Sequence, residues 1–240
     1  MKRIGAMVLM CLAAGAAHAA DNTTAQEIAM LPPYCDAKIG KQEPAAVEMW
    51  RARMGHDNWI HMHHYCSGLV ELNRYYRSAR GRQRANLGNA INEFSGMLKA
   101  WTPDFYLRAE AHMNRGRALK YSGRDGQALA DFEKALELDP GLSPARIDLA
   151  DLYARLGKKA QALEVLKAGI ARDPEKQSLR RRYQELGGDM KALADLKPVP
   201  AAPAAEAPAD ATPPAAKPPV QLVEPKIGSP KNPYCRFCPD

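Results

Sequence analysis

The sequence predicts an all-α protein, built as an array of helical hairpins and followed by a long proline- and alanine-rich C-terminal segment. Two stretches in the middle of the chain align at a spacing of 34 residues. Each has the apolar spacing of two amphipathic helices with a glycine-containing turn between them. Beyond about residue 197 the composition changes to one with almost nothing to bury. The folded part of the chain is therefore expected to end there.

The two aligned stretches read "AHMNRGRALKYSGRDGQALADFEKALELDP" and "ARIDLADLYARLGKKAQALEVLKAGIARDP". Small residues stand where two helices must touch, large apolar residues fill the space between hairpins, and a proline follows the second helix. The aligned pairs are Gly116 with Ala150, Leu119 with Tyr153, Ala128 with Ala162, Phe132 with Leu166, Ala135 with Gly169 and Pro140 with Pro174. This pattern resembles the tetratricopeptide repeat (TPR) family over residues 109–176. The resemblance implies an α-α superhelix with repeats at 109–142 and 143–176, in which neighbouring hairpins bury each other's apolar faces.

Residues on either side should extend this array into a TPR-like helical domain spanning 59–196. Downstream, residues 177–196 are predicted to form a polar capping helix. Upstream, "WIHMHHYCSGLVELNRYYRSA" and "NLGNAINEFSGMLKAW" predict a third, irregular hairpin. Gly68 is expected to be the small residue at its close helix contact, and Ala90, Phe94 and Met97 are expected to take the core positions of its second helix. The two halves are roughly ten residues too far apart for a standard repeat, so either the first helix is longer or the turn is wider.

The N-terminus predicts export. Residues 1–20 combine the positive charges of Lys2 and Arg3 with a short apolar run and the small-residue sequence Ala17-His18-Ala19, which is typical of a cleaved signal peptide. The expected location is the periplasm or the outside of a bacterial cell. The formal charge of +7 includes Lys2 and Arg3, so cleavage leaves about +5, still basic. Residues 21–58 are predicted to be an N-terminal extension.

The C-terminal part is predicted to be a tether with a cysteine-containing tip. Residues 197–232 form a Pro/Ala-rich linker, typical of an extended, partly polyproline II chain. At ~3.1 Å per residue it could reach on the order of 100 Å. Residues 233–240, "PYCRFCPD", form the tip.

Four cysteines remain after the signal segment with Cys11 is removed, and an exported chain is expected to oxidise them. They are Cys35, Cys66, Cys235 and Cys238. A Cys35–Cys66 disulfide would staple the apolar "LPPYC" segment to the first helix, at ~3 kcal/mol in the chain-entropy model. Cys235 and Cys238 would then pair locally. A pairing between body and tail remains open, since the cost of closing a loop grows only logarithmically with its length.

The stretch "WIHMHHYCSG" raises a second hypothesis for function. Helical spacing puts His61 and His64 on one face, and His63 and Cys66 on another. One interpretation is structural: the histidines lie beside buried apolar residues and hydrogen-bond neighbouring loops. The other is a copper or zinc site that uses His61, His63, His64 and Cys66, with Cys35 or the tail cysteines completing the ligands. No CxxCH occurs, so covalent haem attachment is unsupported.

No motif predicts catalysis. The chain has no GxSxG, no HExxH and no P-loop, and its acidic residues are scattered at helix-surface spacings. We therefore expect a non-enzymatic protein with no cofactor.

The TPR resemblance implies a concave face lined by the first helix of each hairpin. The residues that this register places on the face are Met113, Arg117, Lys120, Tyr121, Ile147, Asp151, Arg155 and Arg181. Their basic balance suits an acidic or carboxylate-ended peptide, although a solvated helix face would have the same composition. A basic run interleaved with tyrosines spans Arg74 to Arg84. Because export argues against nucleic acid, this run is assigned to anionic lipid or acidic polysaccharide.

The sequence thus predicts an exported TPR scaffold or adaptor that binds a protein partner in a basic groove. The alternative is a periplasmic metal-binding or thiol-redox protein that uses the histidine segment and the C-terminal CxxC. The partner and the oligomeric state are left open.

Overall fold

The computed structural model describes residues 23–78, 83–193, 196–197 and 199. Within these ranges the regular elements are α-helices and one 3₁₀ turn. The α-helices are α1 Ala25–Ile28, α2 Pro33–Ile39, α3 Pro44–Met54, α4 His56–Ile60, α5 Met62–Arg77, α6 Gln83–Ala100, α7 Arg108–Tyr121, α8 Asp125–Leu138, α9 Ser143–Arg155, α10 Lys159–Arg172 and α11 Gln177–Glu185. The 3₁₀ turn is Lys191–Leu193. The predicted signal peptide and cysteine tip, and the linker apart from residues 197 and 199, lie outside the described residues.

Helices α5 to α10 form three successive hairpins, which confirms the predicted helical-hairpin array. The two regular hairpins close through the same three-residue connection. Gly123 and Gly157 take φ values of 79° and 75° there, a region that favours glycine because it has no Cβ. In each connection a backbone N–H reaches back to the last turn of the first helix: Arg124 to the Leu119 carbonyl at 2.9 Å and Lys158 to the Tyr153 carbonyl at 2.8 Å.

The first two hairpins share one steric contact. A Cβ added to Gly116 of α7 would lie 2.8 Å from the Phe132 ring of α8. A Cβ added to Gly68 of α5 would lie 2.7 Å from the Phe94 ring of α6. Both rings are fully buried. The predicted close-contact role of Gly68 is therefore confirmed, and the structure shows that its partner is the Phe94 ring. The α5–α6 pair is a hairpin of the same kind as α7–α8.

The extra length of the first hairpin is shared between its two helices and its turn. Gly68 is followed by nine residues of α5, whereas Gly116 is followed by five residues of α7. Phe94 is preceded by eleven residues of α6, whereas Phe132 is preceded by seven residues of α8. Each helix of the first hairpin is thus about one turn longer. The connection is longer by two residues, and together these differences account for the ten extra residues.

The N-terminal residues, predicted to be an extension, form four helices that pack on the first hairpin. Cys35 of α2 is bonded to Cys66 of α5, and both are fully buried. Tyr34 packs edge-on against Trp50 of α3, with ring centroids 5.6 Å apart. Helices α2 and α4 contact α5 directly, and α3 packs on α2 and α4.

At the other end, the predicted capping helix over 177–196 is shorter than expected. Helix α11 ends at Glu185 because Gly187 takes a φ of 75° and the Gly188 N–H returns to the Tyr183 carbonyl at 2.9 Å. Leu179, Tyr183 and Leu193 are nevertheless buried with Ile170 of α10 in the last part of the core. Within the described residues, no helix has the length and apolar character needed to cross a membrane.

Candidate protein-interaction face

The first helices of the hairpins, α5, α7 and α9, lie side by side with α11 and form one face of the array. Polar side chains connect each of these helices to the next. Asn114, Asp148 and Arg182 occupy equivalent positions, each 34 residues after the one before. All three bond a residue of the preceding helix, so the same position is used at every junction.

The α7–α9 junction contains a buried ion cluster made of Arg117, Lys120 and Asp148. The Asp148 carboxylate accepts from Arg117 Nε at 2.6 Å and from Lys120 Nζ at 2.5 Å. Arg117 Nη1 also donates to Asn114 Oδ1 at 3.1 Å. All three charged groups are buried, and the Asp148 residue is 0% exposed. Burial lowers the pKa of Arg117, but Asp148, Tyr76 and Tyr121 together raise it by more, so the net shift in pKa is upward.

This geometry corrects the expected basic groove. Arg117 and Lys120 were predicted to offer their charges to a partner, but both are buried and compensated by Asp148. Met113 is buried as well. The prediction from the repeat register missed Asp148, although a signal was present: it stands 34 residues after Asn114, one turn before the register position of Asp151. An Asp in the first helix of one hairpin, facing two cations in the first helix of the preceding hairpin, predicts an ion pair between the two helices.

One exposed region of this face is aromatic. Three rings, here named the tyrosine cluster, meet at the C-terminal ends of α5 and α7: Tyr75, Tyr76 and Tyr121. Tyr121 lies 5.0 Å from Tyr75 and 5.6 Å from Tyr76 between ring centroids. Tyr76 is 36% exposed and Tyr121 is 38% exposed. Tyr75 and Tyr76 belong to the additional turn of α5.

The tyrosine cluster covers the buried ion cluster. Burial raises the pKa of Tyr76 well above its usual value, and the charge of Arg117 lowers it by a smaller amount. The Tyr76 hydroxyl therefore lies inside, near Arg117 and Asp148, while part of its ring faces outward. Lys120 Nζ lies 5.0 Å from the Tyr121 ring centroid, a cation–π contact. The rings are held by these contacts rather than free to rotate.

The remaining residues predicted to line the groove differ in their burial and in their ion-pair partners. Ile147 is half-buried and packs on the C-terminal part of the core. Asp151 accepts from Arg182 Nε of α11 at 2.6 Å. Arg155 is exposed and donates to Asp125 at 2.6 Å, and Arg181 is exposed and lies 3.7 Å from Glu185. The cations that remain at the surface therefore already have acidic neighbours.

The second basic region is also partly compensated. Arg74, at the start of the arginine run, donates to Glu27 at 2.7 Å and to Glu71 at 2.9 Å. These bonds fasten α1 to α5 instead of presenting the guanidinium to an anionic surface. Arg80 and Arg82 lie outside the described residues.

The histidine segment straddles the start of α5. His63 Nδ1 donates to the Ile60 carbonyl at 2.9 Å, and His64 Nδ1 lies 2.6 Å from Glu93 Oε2. Burial, followed by the neighbouring His64, lowers the pKa of His63. His61 stacks on His64 with ring centroids 6.4 Å apart. These histidines thus bond the preceding helix α4 and the neighbouring helix α6.

The cysteine of this segment is engaged elsewhere. Cys66 is joined to Cys35, with Cα atoms 5.5 Å apart, the pairing expected from the sequence. A sulfur in a disulfide is not a thiolate ligand. In the described part of the chain, no three His, Cys, Asp or Glu side chains are grouped so as to hold a metal ion. Cys235 and Cys238, the other ligands of the metal hypothesis, lie outside it.

Comparison with known proteins identifies the repeat family that part of the chain resembles. Residues 122–186 match the family model described as "Tetratricopeptide repeat". Mouse sperm-associated antigen 1 is 27% identical over 127 residues, which are 52% of this chain and 14% of the relative. The rat protein of the same name is 25% identical over 127 residues, with the same shares. The chain thus spans 14% of the length of the curated relatives that it matches.

A solved structure also resembles the chain: a thermophilic TPR protein of Thermus thermophilus, with a TM-score of 0.48 and 23% sequence identity. The likeness covers 64% of this chain and 76% of that one. The family-model match falls on the turn after α7 and continues through α11, the part of the chain where the 34-residue hairpins are regular. Residues 122–186 thus match the tetratricopeptide repeat family, in agreement with the helical hairpins that the structure forms there.

Proposed function

We propose that this chain is an exported, non-enzymatic scaffold that binds a protein partner along the face formed by α5, α7, α9 and α11. One observation carries the proposal. On this face Arg117 and Lys120 are buried against Asp148. The side chains of Tyr76 and Tyr121, beside them, are partly exposed. Partly exposed tyrosines in a fixed arrangement provide apolar contact area with a polar edge, at little cost in side-chain entropy.

The chemistry of this face favours a partner segment of low charge. An acidic peptide would have to compete with Asp148 for Arg117 and Lys120, and with Asp125 for Arg155. An extended peptide with apolar or proline side chains would instead pack on the tyrosine rings. We therefore propose this class of ligand in place of the acidic peptide that the sequence suggested.

Two observations support export. Residues 1–20 have the pattern of a secretory signal peptide. The buried Cys35–Cys66 disulfide is of a kind that forms and persists in oxidising compartments. We propose the periplasm or the outside of the cell as the location.

The test is affinity capture from a native cell-envelope extract with purified full-length chain, quantified by mass spectrometry. The double variant Tyr76→Ser with Tyr121→Ser should retain at least tenfold less of each specific partner than the wild type. The matched control is Ile60→Ser, since Ile60 is also a large exposed apolar residue, 41% exposed, but lies outside this face. Equal capture by the tyrosine double variant, with helical circular dichroism intact, would remove the tyrosine cluster from the interaction.

A further inference from the structure

We infer that the tyrosine cluster is a docking site for the proline-rich segment of this same chain, residues 211–220, "ATPPAAKPPV". The inference deepens the proposed function. If an external partner uses the same rings, the tail competes with it and lowers its apparent affinity. The docking itself does not require that partner.

The receptor surface has the features of an aromatic platform for polyproline II chains. Tyr76 and Tyr121 meet at an interplanar angle of 88°, and Tyr75 and Tyr76 at 62°. Tyr76 is 36% exposed and Tyr121 is 38% exposed, so part of each ring is accessible to a ligand. Aromatic-lined grooves bind polyproline II segments because proline rings are flat and apolar and the segment is already extended. The contact of Lys120 with the Tyr121 ring, and the contacts of Tyr121 with Tyr75 and Tyr76, order the rings before binding, which reduces the entropy lost.

The ligand segment matches this surface in composition and in period. It has two proline pairs, Pro213-Pro214 and Pro218-Pro219. In a polyproline II helix of three residues per turn, Pro213 and Pro219 share one face and lie about 19 Å apart. Lys217 is its only charge. A nearly neutral segment suits a face whose own charges are compensated internally.

The chain leaves the body at a point from which this segment reaches the tyrosines. The Val199 N–H donates to the Ala171 carbonyl at 2.8 Å, which holds the chain at the C-terminal end of α10. Tyr121 is at the opposite edge, one helix length of about 21 Å and two helix spacings of about 10 Å away. Residues 200–212, fully extended, cover about 40 Å. The chain after Val199 is therefore long enough for the second proline pair and the residues around it to reach the tyrosine cluster.

The tether also decides between the chain's own tail and a second copy. A tether that can span the distance to its site gives the attached segment a high effective concentration, up to the millimolar range for short linkers. A second copy at micromolar concentration would have to bind about a thousandfold more tightly to displace it. A weak aromatic–proline contact is therefore enough to dock the tail of the same molecule, but not enough to dock the tail of a second molecule.

The test uses the full-length chain with the photo-crosslinking residue p-benzoylphenylalanine at position 76, irradiated at about 1 μM, far below the millimolar effective concentration. We expect crosslinks within one molecule to residues 200–220, at least fivefold above those of a matched probe at the exposed Ile60. Replacing the four prolines (Pro213→Ser, Pro214→Ser, Pro218→Ser, Pro219→Ser) should reduce the yield to the control level. Crosslinked dimers, or equal yields from both probes, would overturn the inference.

A second measurement avoids altering the cluster. Nitration of Tyr121 by tetranitromethane, followed by mass spectrometry, should be at least threefold faster in the four-proline variant than in the wild type. The buried Tyr65 serves as the internal reference for folding. Equal rates at Tyr121 in both proteins would overturn the inference.

The two hypotheses fail in different ways. If crosslinks and nitration show no docked tail while envelope capture still depends on Tyr76 and Tyr121, the inference falls and the proposed function stands. If the tail docks but the tyrosine double variant captures partners normally, the proposed interaction face is wrong and the inference stands.

Discussion

The α5–α6 hairpin and the α7–α8 hairpin use the same internal contact and differ in how they are joined to their neighbours. In both, a glycine of the first helix receives a buried phenylalanine ring from the second. Helix α5 is then stapled covalently to the N-terminal helices, whereas α7 is joined to α9 by the buried ion cluster. The repeat thus requires the small-to-large contact inside each hairpin, while helix length and junction chemistry are free to vary.

The variation in helix length changes the surface of the protein. The additional turn of α5 contains Tyr75 and Tyr76, which reach Tyr121 at the end of α7. A first hairpin of standard length would end before these residues. The irregularity of the first hairpin is therefore what creates the tyrosine cluster.

The junctions of α9 with its two neighbours differ as well. At α7–α9 the preceding helix supplies the cations and α9 the carboxylate; at α9–α11 the preceding helix supplies Asp151 and the next supplies Arg182. The first pair is buried and the second is partly exposed. Removing one partner from a buried pair leaves an uncompensated charge, whereas an exposed pair contributes little.

The largest expected effect separates these two junctions. Asp148→Ala leaves Arg117 and Lys120 buried without a counter-charge, and should cost about 3–5 kcal/mol of the free energy of unfolding. Asp151→Ala should cost at most about 1 kcal/mol. Urea denaturation of both variants measures the difference. Equal losses would mean that burial does not distinguish the junctions. Reversing Arg117 to Glu would likewise unfold the protein and is not a clean test of partner binding.

The next effect concerns the staple on the first hairpin. The double variant Cys35→Ala with Cys66→Ala should lose about 3–4 kcal/mol, because the disulfide constrains the unfolded chain. The same urea experiment on wild-type protein in reducing buffer should approach the variant's midpoint. If the variant unfolds at the wild-type midpoint under oxidising conditions, the N-terminal helices are held by packing alone.

A smaller effect tests what the two hairpins share. Gly68→Ala and Gly116→Ala each place a Cβ against a phenylalanine ring, and should each cost about 1–3 kcal/mol. Gly88→Ala and Gly96→Ala in α6 are matched controls, since a Cβ at either position meets nothing within 4 Å. The controls should stabilise the protein by up to about 1 kcal/mol, the helix propensity of Ala over Gly. Melting temperatures that move alike in all four variants would contradict the shared contact.

The smallest effect is a pH dependence at the contact between α1 and the first hairpin. The hydrogen bond from Arg74 lowers the pKa of Glu27 from 4.5 to about 2. A carboxyl with a depressed folded-state pKa stabilises above its unfolded value and loses that contribution as the pH falls from about 4.5 to 2. Hydrogen exchange of α1 should therefore quicken over this window in the wild type and much less in Arg74→Gln. A parallel acid response in both proteins would exclude this pair as the cause.

The hairpins could be predicted from the sequence because their residue pattern occurs twice at a fixed spacing. The 34-residue spacing placed the hairpins of α7 to α10, and the small residue before an aromatic one identified Gly68 and Phe94 in the irregular hairpin. It did not predict that α11 ends at Glu185, although Gly187 and Gly188 follow it closely. Nor did it predict the N-terminal helices, since α1 to α4 are short and are held by contacts with α5.

The sequence by itself determined the periodic parts of this protein: the all-α class, the hairpin register and the glycine turns, each of which depends on residues close together in the chain. Only the tertiary structure decided which polar side chains of the α5, α7, α9 and α11 face are exposed and which are buried. Arg117 and Lys120 occupy groove positions in the register, yet a carboxylate from the next hairpin, 31 and 28 residues away, buries and compensates them. Tyr76 falls outside the standard register and reaches the face through an extra helical turn. Whether a charge is free or paired depends on contacts between residues distant in sequence, and a local pattern does not contain that information.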